Sequence, residues 1–217
     1  MSELLQIKLA LTTVLAPIVS FVLIFLFFLR QHAIARWVSL LGITTSAACS
    51  TMLLWSVDSP AHHVTVSLPW LLPGDINFSI GLLLDPLSLV MLWIVALIGT
   101  LVQMYSFSYM EDDAKQAKFF AFISLFCFAM MGFTIAPNLF QSYVFWELVG
   151  LGSYLLIGFW NHLPSAATAA RKAFIVTRLG DLGFFAAILV AFAGLGSVDY
   201  AGMAERKAGH FRGFQGG

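Results

Sequence analysis

Charge is scarce in this chain. Only 10% of its 217 residues are charged, 11 basic against 11 acidic, where a soluble domain carries about 25%. So few charges cannot cover a water-facing surface, which excludes a soluble globular domain. The even balance leaves no basic excess and excludes nucleic acid as a partner. Cysteine is nearly absent as well. Cys49 and Cys127 lie inside apolar runs, with no C-x-x-C, no disulfide framework and no zinc spacing, and they read as small packing residues. There is no G-x-G-x-x-G, no P-loop and no G-x-S-x-G. Two cysteines cannot ligate an iron–sulfur cluster. No internal repeat is visible.

What the chain does have is apolar length. Hydrophobic residues make up 60% of it, and its mean hydropathy is +0.90. Six segments, near 4–29, 36–57, 85–107, 118–136, 139–160 and 170–195, reach the roughly 17–25 residues of a membrane helix. The first holds Lys8 near its outer end and Pro17 in its middle. It is too long for a signal peptide and has no basic leader. Asp85-Pro86 reads as an N-cap with proline at the first helical position. Pro137-Asn138 is a very short turn, so the fourth and fifth helices are antiparallel neighbours. Ser165 is the expected cap of the sixth helix.

Residues 62–80 have another texture. Val64, Val66 and Leu68 alternate with Thr65 and Ser67, Pro73-Gly74-Asp75 supplies a turn, and Phe78 and Ile80 alternate with Asn77 and Ser79. This predicts a short β-hairpin outside the bilayer. The predicted fold is therefore an all-α polytopic membrane protein of about six transmembrane helices, with a β-hairpin between the second and third. It divides into two N-terminal helices (1–60), the hairpin loop (61–84), a module of the third and fourth helices (85–136), the start of a further module (137–195) and a polar tail (196–217). Arg30 and Arg36 flank the first loop, Lys115 and Lys118 the third, and Arg171 and Lys172 the fifth, whereas the second and fourth loops carry no Lys or Arg. The positive-inside rule then makes the odd loops cytoplasmic and puts the N-terminus outside. Arg206, Lys207 and Arg212 of the tail fall on the opposite side, against that rule.

Ionisable groups inside apolar spans carry the functional information. Glu147 lies near the middle of the fifth span, where an acidic side chain costs about 2.5–3.5 kcal/mol to insert. It must face protein or water, and there it can load and release a proton or lock two helices together. In the sixth span Arg178 and Asp181 are three residues apart on one helical face, spaced to pair. Lys172 lies about two turns before Asp181, where its ammonium can snorkel outward, and with Arg171 it also reads as a positive-inside anchor. Asp85 reads as a helix cap. His62-His63 lacks a third metal ligand. His162, beside Trp160, reads as interfacial, and Trp93, Trp146 and Trp160 read as ordinary membrane aromatics. Gly150, Gly152 and Gly158 permit close helix approach.

Three stretches carry a resemblance. FSIGLLLDPLSLVMLWIVALIGTLVQMYSFSYMEDD begins at Phe78, FFAFISLFCFAMMGFTIAPNLFQSYVFWELVGLGSYLLIGFW ends at Trp160, and KAFIVTRLGDLGFF begins at Lys172. The chain resembles the N-terminal part of the L-type antiporter-like subunit of respiratory complex I (NADH–quinone oxidoreductase). It is related in the same way to the large subunit of multisubunit Na+/H+ antiporters and to subunits of membrane-bound hydrogenases. The resemblance implies a multi-pass protein of a bacterial inner membrane that couples NADH oxidation by quinone to proton transport. Its partners would be the lipid bilayer and the other membrane subunits of complex I. No cofactor is implied in this chain; NADH, FMN, iron–sulfur clusters and quinone belong to partner subunits. The family's essential fifth-helix glutamate matches Glu147, and its sixth-helix acidic and basic residues match Asp181 and Arg178. Lys172 is a supporting candidate for electrostatic tuning. The family's seventh-helix lysine and later helices have no counterpart here, so the expectation is a truncated chain. The alternatives are a cation/proton antiporter subunit or a non-functional fragment.

Overall fold

The computed structural model describes residues 2–56, 63–71 and 78–203. The hairpin turn at Pro73-Gly74-Asp75, His62 and the basic residues of the tail lie outside the described residues.

Among the described residues six long helices form. The first, α1 (Glu3–Leu23), runs on through a wider π-type turn at Ile24–Phe28. It is followed by α2 (His32–Leu54), α3 (Pro86–Tyr109), α4 (Gln116–Thr134), α5 (Leu139–Ile157) and α6 (Pro164–Leu195). Pro17 sits inside α1 without ending it. Five of the six are long and apolar enough to cross a membrane by length and composition. The exception is α5, which carries Gln141, Ser142, Glu147 and Ser153 along 19 residues.

Local chemistry sets the helix starts. Asp85 and Ser88 form a reciprocal capping box at the head of α3, with Ser88 N–H donating to Asp85 Oδ1 at 2.6 Å and Asp85 N–H to Ser88 Oγ at 2.9 Å; Pro86 takes the first helical position. Asn138 caps α5, its Oδ1 accepting from Gln141 N–H at 2.7 Å. The cap of α6 differs from expectation. The helix begins at Pro164 with Leu163 as N-cap and no side-chain cap. Ser165 lies inside the first turn, because proline's fixed φ favours the first helical position. The following Ser-Ala-Ala-Thr-Ala-Ala run is polar to the eye but readily helical, so α6 starts six residues before the apolar span. Gly196, with φ 63°, closes it in the left-handed conformation.

The core helix is α4, packed against α1, α2, α3 and α5. In its most apolar stretch 56% of residues are buried, against 11% in α6, which packs chiefly on α5. Small and hydroxyl side chains bring the inner helices together. Ser46 Oγ donates to the Thr13 carbonyl at 2.6 Å, and Ser39 joins Gln103 (2.9 Å) and Ser124 (2.8 Å) in a buried network between α2, α3 and α4. Cys127 is buried and lies where a β-carbon on Gly99 would be 2.9 Å from its Sγ, the packing role expected of it.

The hairpin is present and longer than its alternation suggests. Strand β1 (Val64–Leu71) pairs antiparallel with β2 (Phe78–Leu84), with Ser67 opposite Gly81 and a register shift between Pro69 and Leu71. It is docked on the bundle. Val64, Leu82 and Leu84 are buried in the same core as Leu89, Leu92 and Ile135, and Leu83 N–H donates to the Ile135 carbonyl at 2.8 Å. Gln141 grips Gly81 at both its carbonyl and its N–H, each at 2.9 Å. The segment after α6 joins the same end: Leu139 N–H donates to the Val198 carbonyl at 3.0 Å, and the Ser142 hydroxyl meets Tyr200 at 2.8 Å. The second and fourth loops and the exit from α6 thus share one end of the bundle. The odd loops share the other, where Trp160 Nε1 donates to Asp113 Oδ2 at 2.8 Å and the α1–α2 turn packs on the start of α4. Among the described residues Arg30, Arg36, Lys115, Lys118, Arg171 and Lys172 lie in or beside the loops at that second end.

Candidate functional site

The seam between α5 and α6 brings together three of the four residues singled out by sequence. Arg178 Nη1 is ion-paired with Glu147 Oε2 across the seam and lies 3.7 Å from Asp181 Oδ2 on its own helix. These are the two ion pairs among the described residues. Asp181 is 7% exposed. Glu147 is on the face of α5 turned toward α6, and Gly150, one turn on, leaves the space into which Arg178 reaches, a β-carbon there standing 4.0 Å from Nη2. The guanidinium carbon also lies 4.6 Å from the centre of the Phe174 ring, one turn earlier on α6. One planar cation is thus held by two carboxylates and an aromatic face, which suits the forked geometry of arginine.

Two other features complete the site. Trp146 Nε1 donates to Asp181 Oδ1 at 2.8 Å, so Asp181 has a neutral donor on one oxygen and the guanidinium near the other. The sequence gives Trp146 only as an ordinary membrane aromatic. The available signal was chemical: an indole N–H within an apolar span needs an acceptor, and few acceptors exist at that depth. An open groove of about 440 Å³ runs beside the cluster, with Tyr143, Glu147 and Arg178 among its walls. Lys172 is not part of the constellation. It is exposed and has no ion pair among the described residues, because it lies nearer the end of α6 where a long side chain can leave the seam.

The glycines act as expected where helices meet. A β-carbon on Gly152 would stand 3.3 Å from Phe126 Cβ of α4, and one on Gly158 would stand 3.2 Å from Ala170 Cβ of α6. At the odd-loop end, burial works against the charge of Asp113. Its bonds from Trp160 and the Lys115 backbone N–H, with the charges of Lys115 and His162, outweigh that and hold the carboxyl below its ordinary range. Among the described residues no group of three His, Cys, Asp or Glu side chains converges.

A multi-helix membrane bundle with a carboxylate–guanidinium–carboxylate cluster on an interhelical seam defines a class, the integral membrane proteins with ion pairs inside their spans. Comparison with known proteins narrows it. Residues 70–120 match the family model described as NADH-ubiquinone oxidoreductase (complex I), chain 5 N-terminus, and residues 136–212 match that of NADH:quinone oxidoreductase/Mrp antiporter, TM. The chain is 44% identical over 178 residues to NAD(P)H-quinone oxidoreductase subunit 5, chloroplastic, of Angiopteris evecta, covering 82% of this chain and 23% of that protein. It is 40% identical over 178 residues to NAD(P)H-quinone oxidoreductase chain 5 of a Picosynechococcus species, covering 82% and 26%. Against the Anthoceros angustus chloroplast subunit 5 it is 37% identical over 210 residues, covering 93% and 28%. The chain belongs to this family of antiporter-like membrane subunits of quinone oxidoreductases. It spans about a quarter of the length of the curated relatives it matches.

Proposed function

We propose that this chain supplies the first six helices of a proton-translocating subunit of an NADH:quinone oxidoreductase, with Glu147 as the group that takes up and releases the proton. The observation that carries this reading is the sharing of Arg178 between Glu147 and Asp181. While the guanidinium faces Glu147, the carboxylate is held charged. When the guanidinium turns toward Asp181, Glu147 loses its counter-charge and accepts a proton. Return of Arg178 expels that proton. Trp146 keeps Asp181 oriented as the alternative resting place for the cation. Arg178 and Asp181 therefore act by setting the charge balance of Glu147, and Lys172 is a supporting group at the helix end.

Moving a proton against the potential costs about 2.3 kcal/mol per 100 mV, so the driving energy comes from elsewhere in the complex. Hydride and electron transfer, with NADH, FMN, iron–sulfur clusters and quinone, belong to partner subunits; an iron–sulfur cluster needs four ligands and this chain has two cysteines, Cys49 and Cys127. In this reading the odd-loop end faces the cytoplasm of a bacterial inner membrane and the N-terminus faces outward, supported by the basic residues gathered at the odd-loop end. A second reading, a cation/proton antiporter subunit, is favoured by the Mrp antiporter in the second family model's description.

The test is Glu147→Gln in the chain's own complex, assayed in native membrane vesicles. Under the leading reading, NADH-driven acidification is lost while the complex still assembles. Unchanged acidification removes Glu147 from the path. Proton movement driven by a sodium gradient without NADH would support the antiporter reading instead.

A further inference from the structure

The end of the bundle opposite the hairpin holds a pocket that the proton path does not use. It is a cavity of about 290 Å³ between the start of α4, the end of α5 and the first turns of α6. Three cationic side chains line it, Lys115 and Lys118 from the α4 side and Arg171 from α6. None of the three has a carboxylate partner, since both ion pairs among the described residues belong to Arg178. Of the three acids in the loop before α4, Glu111 and Asp112 are exposed, and Asp113 spends its oxygens on the Trp160 indole and the Lys115 backbone N–H. Asp113 thereby joins the loops on either side of the pocket, and its charge acts on Lys115 but is not ion-paired with Lys118 or Arg171.

Two further features add to the positive field. The pocket lies beside the N-termini of α4 and α6, and neither has a side-chain cap. The positive ends of their dipoles face this end of the bundle, although in α4 the Gln116 and Lys118 N–H groups are already taken by the Asp113 and Lys115 carbonyls. Phe122 and Tyr154, each a turn deeper in its helix, and Phe159 add aromatic wall to the pocket. A cationic mouth over an apolar wall at the edge of a membrane span matches a phosphate joined to acyl chains better than a free ion.

We propose that this pocket binds the phosphate headgroup of an anionic membrane lipid. Lys115, Lys118 and Arg171 contact the phosphate, and its acyl chains run along the wall formed by Phe122 and Tyr154. The lipid wedges α4, α5 and α6 together at the end away from the hairpin, just where Gly158 already brings α5 close to α6.

The test is native mass spectrometry of the full chain, with the subunits that co-purify with it, taken from bilayers of phosphatidylcholine with or without phosphatidylglycerol. The expected result is retained phosphatidylglycerol, which excess inorganic phosphate does not displace. Each cation is worth about a fivefold change in affinity for an anionic surface. Arg171→Ala should therefore lower retention about fivefold and the Lys115→Ala/Lys118→Ala/Arg171→Ala variant by about two orders of magnitude. Arg30→Ala, which removes the same charge at the same end but away from the pocket, should leave retention unchanged. Lys115→Arg/Lys118→Arg should retain the lipid, which separates loss of charge from loss of fold. Equal retention in the triple variant overturns the proposal, as does an equal loss in Arg30→Ala. Displacement by inorganic phosphate overturns the lipid and leaves a free-anion site.

Discussion

Arg178 of α6 and Glu147 of α5 are joined as an ion pair across a seam between helices, 31 residues apart in sequence, and the same guanidinium lies 3.7 Å from Asp181. Removing the cation leaves two carboxylates facing each other in a span. Arg178→Ala should destabilise the chain by about 2 kcal/mol, less than the roughly 3–5 kcal/mol for a fully enclosed pair, because the seam is open on one side. Arg178→Lys keeps the charge but loses the fork and the stacking on Phe174, so its loss should be smaller but measurable. Thermal unfolding in detergent ranks the three proteins. If Arg178→Lys matched the parent, the forked geometry would be unimportant.

Trp146 makes a narrower prediction. Its indole N–H donates to Asp181 Oδ1 at 2.8 Å, and its ring also packs 5.5 Å from Phe133 of α4. Trp146→Phe removes the donor and keeps most of the ring. A hydrogen bond to a charged group contributes about 1.5–3 kcal/mol, so the variant should be less stable by an amount near the lower figure. Combining it with Asp181→Ala should give less than the sum of the two single losses, since the two side chains share one interaction. Strict additivity in a double-mutant cycle would remove the bond from the stability of the seam.

Much of this arrangement was legible before any coordinates. The six helices and the hairpin follow from apolar length and alternation, and the start of α3 follows from Asp85-Pro86 because a cap is a local device. Arg178 and Asp181 were readable as a pair because three residues on a helix fix their proximity. The Glu147–Arg178 pair was not, since nothing local fixes which faces of α5 and α6 meet. The docking of the hairpin through Gln141, and through Asn138 Nδ2 donating to the Ser79 carbonyl at 2.8 Å, was hidden for the same reason. Lys172 was drawn toward the cluster by sequence nearness, but its position toward the helix end sends its side chain outward.

Asp113 gives the pH dependence. Its carboxyl is held below its ordinary range in the folded chain, with Trp160 and the Lys115 N–H bonding to the charged form. A lowered folded pKa contributes stability that is present above the unfolded value of about 3.9 and is lost as pH falls through the folded value. Melting temperature should therefore decline on the acid side, below about pH 4. Asp113→Asn should be less stable than the parent at neutral pH and should approach it in acid. The effect should be modest, because the group faces solvent. A constant difference at every pH would assign the loss to packing and not to the charge.

Gly81 offers the sharpest test of how the hairpin is fixed. Its carbonyl and N–H are both taken by the Gln141 amide at 2.9 Å, and it pairs with Ser67 across the ladder. A β-carbon there would collide with the Val66 carbonyl oxygen and stand 2.9 Å from Ser67 Cα. Both are backbone atoms, which cannot rotate aside as a side chain can. Gly81→Ala should open the β1–β2 ladder and cost about 1–3 kcal/mol, with amide exchange at Val66 and Leu82 accelerating sharply. Gln141→Ala removes the grip but leaves the ladder free to form. It should cost about 1–2 kcal/mol for two lost hydrogen bonds and leave exchange at Val66 slow. The contrast separates pairing from docking: if Gln141→Ala also opened the ladder, the hairpin would depend on the bundle for its very formation.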